Sequence, residues 1–177
     1  MPLKPLLIAA LALSLALPVI SAHAQTSASA PQVIPPFRSF ACTPDDLSRL
    51  NTTVEHFKKV WGAQDTSAVI AMHAPDTEWI NAYGRQFQDA AELGKFLQTR
   101  LFPMFETSVS EREAAGIRPI SYRCLGQTAA VIHLYTEGPR GPSRIAGETL
   151  RRTHMHFVLE NRADGWQIVH TAIMDVR

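Results

Sequence analysis

The chain has 177 residues, of which 46% are hydrophobic and 19% charged, with a formal net charge of +1. There is no cluster of lysine and arginine, so nucleic-acid binding has no electrostatic support. The length fits one folded domain behind a short leader.

Met1 to Ala24 carries one positive charge, Lys4, then the apolar run Leu6–Ile20, then Ala22-His23-Ala24. This is the layout of a secretory signal peptide with a small-x-small cleavage site. The apolar run is too short for a comfortable membrane span. Cleavage after Ala24 is expected, giving an exported protein, periplasmic or secreted, with no membrane span in the mature chain. No cysteine follows the cleavage site, so a lipid anchor is not indicated. About 150 residues remain, enough for one domain with one core.

Residues 25–41 are rich in Ser, Ala and Pro and read as a flexible linker, docking through Phe37 and Phe40. A domain is expected over 42–177. Thr43-Pro44-Asp45-Asp46 starts its first helix: Thr43 caps, Pro44 suits the first position, and the two aspartates suit the positive end of the dipole. Leu47, Leu50, Val54, Phe57 and Trp61 follow on one face, and Gly62 ends the run. Asp65 caps a second helix, Thr66–His73, which Ala74-Pro75 closes.

Asp76–Asn81 reads as a strand, Tyr83-Gly84-Arg85 as a turn and Gln86–Gln88 as a return strand. Asp89 and Glu92 make a capping box for a third helix with apolar residues Ala90, Leu93, Phe96, Leu97 and Leu101, closed by Pro103. Val109–Leu125 reads as a long irregular strand with bends at Gly116 and Pro119. Gly126-Gln127 is a tight turn, Thr128–Glu137 a clear strand, and Gly138–Ser143 a loop. Two strands then flank the turn Asn161–Gly165, a hairpin in which ionisable groups interrupt the apolar alternation.

Cys42 and Cys124 would meet an oxidising compartment and are candidates for a disulfide between the N-terminal segment and the sheet. Closing so long a loop would contribute on the order of 4 kcal/mol. The alternative is two separate thiols, because spacing does not give distance.

The segment DTEWINAYGRQFQDAAEL resembles the strand–turn–strand–helix module of the nuclear transport factor 2-like superfamily. RRTHMHFVLENRADGWQIVHTAIMDV resembles its closing hairpin, with a Gly-Trp pair opening the last strand. The SnoaL-like branch is the nearest in character, and the resemblance spans Asp46 to Val176. It implies an α+β conical barrel, with three N-terminal helices packed in a strongly curved antiparallel sheet around an open-ended cavity. It also implies a homodimer formed through the sheet. It implies no cofactor. One fold hosting isomerases, cyclases, dehydratases and non-catalytic binders means that function must come from the site.

Two residues apart on one strand, His154 and His156 share a face. Pairing Glu160 with Trp166 would set His156 opposite His170, whereas a one-residue slip would put His170 on the other face. Three imidazoles could transfer protons or bind a metal, but no metal site is assigned. His133 and Tyr135 either line the cavity or pack in an interface. Trp79 and Asn81 share a strand face. Asp76 is the nearest strand carboxylate for acid–base work, which would need a pKa raised by apolar surroundings. Asp175 sits across from Arg151 as an ion pair or a ligand-orienting pair. The ketosteroid isomerase oxyanion tyrosine has no counterpart on the first helix.

Three readings follow. The first is a binder of a small apolar or aromatic ligand, contacted by Trp61, Trp79, Tyr135 and Met155 and oriented by His154, His156 and Asn81, with His133, Arg151 and His170 as further ligand-binding candidates. The second is a cofactor-independent isomerase, cyclase or lyase using His154 and His156 with Asp76 or Asp175. The third is a non-catalytic dimeric module. A catalyst needs an ionisable pair in contact inside the cavity; a binder needs only the lining.

Overall fold

The computed structural model describes residues 34–138, 147 and 150–176. The leader, most of the linker and most of the loop after Gly138 lie outside the described residues, and so do the expectations placed on them. No helix among the described residues is long and apolar enough to cross a membrane.

The linker's end is more ordered than its composition predicts. Arg38–Phe40 forms strand β1, parallel to the later strand that carries Cys124. Phe37 meets Tyr122 edge-on at 5.1 Å and Arg123 lies over the Phe40 ring at 4.2 Å, so both expected phenylalanines dock. Cys42 and Cys124 form a disulfide that joins residues 82 apart in sequence.

Helix α1 (Pro44–Gly62) begins as its residues dictate: the Thr43 side chain accepts from the Asp46 amide and the Asp46 carboxylate takes the Thr43 N–H. Its buried face holds Leu50, Val54, Phe57 and Trp61. Helix α2 is shorter than expected, Thr66–Ala71. Strand β2 starts at once, at His73, and runs to Ile80. Pro75 sits inside this strand because the pairing register shifts between His73 and Glu78, which leaves it out of the regular ladder.

A turn leads to β3 (Gln86–Phe87) and then α3 (Ala90–Phe96), capped by Asp89. This helix continues through a π turn, Leu97–Leu101, and a 3-10 turn, Phe102–Met104. The expected long strand from Val109 is instead two elements. Thr107–Gly116 is a helix, α4, and Arg118–Leu125 is strand β4. Glu111, Arg112, Glu113, Ala114 and Ala115 are all good helix formers, and Ser110 and Ala114 bury together one turn apart. α4 packs tightly: a Cβ at Gly116 would come within 2.9 Å of the Glu137 carbonyl oxygen.

Strands β5 (Ala129–Gly138), β6 (Arg151–Arg162) and β7 (Gly165–Asp175) complete a seven-stranded sheet in the order β1-β4-β5-β6-β7-β2-β3. The sheet is open, ending in β1 and β3, and it is mixed rather than all antiparallel, because β1–β4 and β2–β7 run parallel. The architecture is therefore α+β, with four α-helices among the described residues rather than three helices followed only by strands.

One side of the sheet faces the helices. Phe57 of α1 meets Phe157 of β6 edge-on at 4.9 Å, and Trp61 stacks on Trp79 of β2 at 6.0 Å. Ile132, Leu134, Phe157, Leu159 and Ile168 are fully buried there. Each such side chain contributes roughly 1.5–3 kcal/mol through removal from water. Two-residue periodicity then sends Val131, His133 and Tyr135, and His154, His156 and Val158, to the opposite side.

Candidate functional site

Between the helices and the sheet, the core does not fill. A cavity of about 390 Å³ remains, lined chiefly by apolar side chains including Trp61, Trp79, Phe96, Leu97, Met155 and Ile173. Such a volume suits a small organic molecule. Charged and polar groups reach it from four elements: Glu113 from α4, Thr136 from β5, Arg151 and Thr153 from β6, and Arg85 from the β2–β3 turn.

Arg151 is fixed by Asp175. Its Nε donates to Oδ1 at 2.9 Å and one terminal nitrogen donates to Oδ2 at 3.0 Å. The Asp175 side chain is only 3% exposed, so this is a largely desolvated, two-point pair. The pairing arises from register, since Thr153 lies opposite Asp175 and Arg151 is two residues along the same strand face. The Arg151 guanidinium also lies 5.1 Å from the centre of the Tyr83 ring.

Glu113 sits on another wall. Trp61 Nε1 donates to its Oε2 at 3.4 Å, and Thr136 Oγ1 donates to its backbone carbonyl at 3.2 Å. The β2–β3 turn is held by Asn81, whose Oδ1 accepts from the amides of Tyr83 and Arg85 at 2.9 and 3.0 Å. Gly84 supplies the positive φ the turn needs. Asn81 lines the cavity as expected, but its side-chain oxygen is engaged in holding the turn.

The structure thus brings Trp61, Trp79, Asn81, Arg151 and Met155 together, with Asp175 behind Arg151. It does not bring the histidines there. His133, His154 and His156 lie on the far side of the sheet, with ring centres 4.4 and 4.9 Å from His133 to the other two. His133 Nε2 and His154 Nδ1 share a hydrogen bond of 2.8 Å, with the donor set by tautomer. Partial burial and the neighbouring imidazoles push His133 down to about 4, and burial lowers His154 and His156 as well. The cluster is therefore neutral near pH 7. Among the described residues no three metal-ligating side chains are placed to hold a metal ion.

Tyr135 shares that outer side. Its hydroxyl donates to Glu137 at 3.2 Å, and its pKa is raised by burial first and by the Glu137 charge second. His170 is on the same side, opposite Val158 rather than His156, and pairs with Glu78 at 3.1 Å. The hairpin register pairs Asn161 with Trp166, one residue from the expected Glu160–Trp166, and a bulge next to Val158 restores the shared face. Asp76 is not a cavity base. It is solvent-exposed and 3.3 Å from Arg162. His73, not foreseen as special, is a core residue: its Nδ1 lies 2.7 Å from the Val69 carbonyl, and burial lowers its pKa to about 4.

Sequence reasoning missed Glu113, Thr136, Phe96 and Arg85 as cavity residues. Glu113 was hidden by reading α4 as strand; the Glu-Arg-Glu-Ala-Ala run was the signal that could have exposed it. Arg85 was read only as part of a turn.

No protein-family model matches the sequence, and no curated protein sequence matches it. Solved structures do match the fold. A ketosteroid isomerase-like protein from Erwinia carotovora atroseptica is 15% identical with a TM-score of 0.58, over 76% of this chain and 99% of that one. An NTF2-like protein with a cystatin-like fold from Novosphingobium aromaticivorans is 11% identical with a TM-score of 0.56, over 75% and 82%. An NTF2-like protein of unknown function from Shewanella oneidensis is 12% identical with a TM-score of 0.55, over 73% and 98%. At such identities the likeness concerns backbone architecture alone. The chain has the NTF2-like, cystatin-like α+β fold that its closing hairpin and its strand–turn–strand–helix segment resemble.

Proposed function

We propose that this protein is an exported, SnoaL-like binder of a small, mostly apolar ligand held between the helices and the sheet. The observation that carries the reading is the cavity itself: about 390 Å³ of space walled by Trp61, Trp79, Phe96 and Met155 inside an otherwise close-packed core. Interiors normally leave few voids larger than a water molecule. A mostly apolar recess with a few convergent polar groups is the usual form of a small-molecule site. Arg151, preset by Asp175, offers a fixed donor without rearrangement. The disulfide and the leader composition support export.

Native mass spectrometry of the full chain, isolated from its producing cells, tests this reading. It should show a retained organic molecule, or an apo protein whose Trp61 and Trp79 emission changes on adding small aromatic or aliphatic compounds. Neither retention nor any spectral or calorimetric response across such a panel would defeat it.

A second reading has one observation in its favour. Glu113 puts a carboxylate on the cavity wall, where a proton-transferring group for a cofactor-independent isomerase or lyase would stand. His154, His156 and Asp76 are not available for that role, and both Asp175 oxygens are engaged with Arg151. The enzyme reading predicts turnover of a ketone or epoxide that Glu113→Gln abolishes while ligand affinity changes little. A homodimer through the outer side of the sheet is compatible with either reading; light scattering on the purified chain would report its mass directly.

A further inference from the structure

The mouth of the cavity differs in charge from its interior. Arg85 belongs to both the cavity wall and a second groove, which Glu92, Lys95, Phe96, Thr99 and Arg100 complete. Three cations therefore meet one carboxylate. That carboxylate, Glu92, is partly engaged, accepting from the Gln88 amide at 3.1 Å. The other charges near the cavity do not cancel the excess: Arg151 and Asp175 neutralise each other, and Glu113 stands on the α4 wall beside Trp61.

Arg85 is also the best positioned of the three. The Asn81-held turn fixes its backbone. Its guanidinium lies 4.8 Å from the Phe87 ring centre and 5.1 Å from that of Phe96, rings that themselves pack at 4.5 Å. These two cation–π contacts hold the guanidinium against the ring pair while the residue stays exposed to solvent. No carboxylate among the described residues lies within ion-pair distance of it.

We propose that the ligand of this cavity is an amphipathic monocarboxylate. Its apolar body lies against Trp61, Trp79 and Met155, and its carboxylate meets Arg85 at the mouth, in the field of Lys95 and Arg100. This inference rests on the ligand-binding reading above. A carboxylate at the mouth keeps most of its hydration, so a charge-assisted contact there adds to affinity without a full desolvation cost. The interior Glu113 repels an anionic head and favours the head-out orientation.

The test compares matched pairs by calorimetry at low salt: decanoic acid against decanol, and naphthoic acid against naphthalenemethanol. In the wild-type chain the acid of at least one pair should bind roughly tenfold tighter than its alcohol, as one charge-assisted contact allows. Arg85→Gln should erase that preference, so that acid and alcohol bind alike. Arg100→Gln should reduce it less, and added salt should weaken it in the wild type. Arg85 is exposed, so the variant's melting curve serves as the folding control. Equal affinity for acid and alcohol, or a preference that survives Arg85→Gln, overturns the proposal and leaves the cavity reading standing. Binding by neither member of either pair counts against both.

Discussion

The two sides of strands β5 and β6 hold neighbouring residues with opposite fates. On the helix side, Thr153, Met155 and Phe157 are buried, and two of them border empty space. On the other side, one residue along each time, His154 and His156 pack against the His133 ring, tilted and edge-on respectively, and stay half-buried. The same stretch of chain thus makes an apolar cavity wall and a polar, titratable surface. Reactive-looking residues are not evidence of a reactive site until their side of the sheet is known. In this protein His133, His154, His156 and His170 are gathered on the side without the cavity.

The contrast can be broken first by truncation. Phe157 is fully buried against Phe57, so Phe157→Ala should cost about 3–5 kcal/mol in chemical denaturation. His156→Ala, its neighbour, should cost less than about 1 kcal/mol. Comparable losses would mean that the outer side is packed as tightly as the core.

Next comes the polar pair at the cavity. Arg151→Ala removes the two-point partner of a carboxylate that is almost wholly buried, and about 3 kcal/mol of stability should go with it. The double variant Arg151→Met, Asp175→Leu should recover much of that loss, because it removes both charges together. A double variant no better than the single would show that the pair does more than neutralise itself.

A smaller effect should appear in pH dependence. Burial lowers His73 and His133 to about 4, and lowers His154 and His156 in the same direction. The unfolded chain therefore binds more protons than the folded one between about pH 4 and the ordinary histidine value near 6.5. The neutral rings' contribution is fully present above that upper value and is lost as pH falls toward 4. His133→Gln and His73→Gln should each flatten the decline over that window relative to wild type. An unchanged slope in both would contradict the burial account.

How much of this could be read beforehand follows from the kind of signal each part carries. α1 was legible because Thr43, Asp46 and the Leu50–Val54–Phe57–Trp61 spacing agree with one another. The closing hairpin was legible from its turn, and the shared face of Arg151 and Asp175 from simple alternation. The side of the sheet was not. β5 alternates Ala130, Ile132 and Leu134 with Val131, His133 and Tyr135, and both sets are apolar enough to be covered. Nor was the register: the bulge near Val158 changes the pairing by one residue without a Gly or Pro to announce it. β2 and β7 lie side by side from distant parts of the chain, so their parallel pairing has no local signature. The cavity was half legible. Its aromatic walls stand out in sequence, but Glu113 and Arg85 enter from a misread helix and from a turn.

The central claim is that ligand binds on the helix side of the sheet. It is tested most directly by two same-size changes at adjacent residues, Met155→Trp in the cavity wall and His156→Trp on the outer side. Each variant is first confirmed to melt cooperatively, then titrated with an anilinonaphthalene sulfonate fluorophore alongside wild type. The account predicts that Met155→Trp, by filling the cavity, weakens binding about tenfold or more, as lost apolar burial on this scale implies, while His156→Trp leaves it unchanged. Full binding in Met155→Trp together with weakened binding in His156→Trp would contradict it and move the site to the histidine side.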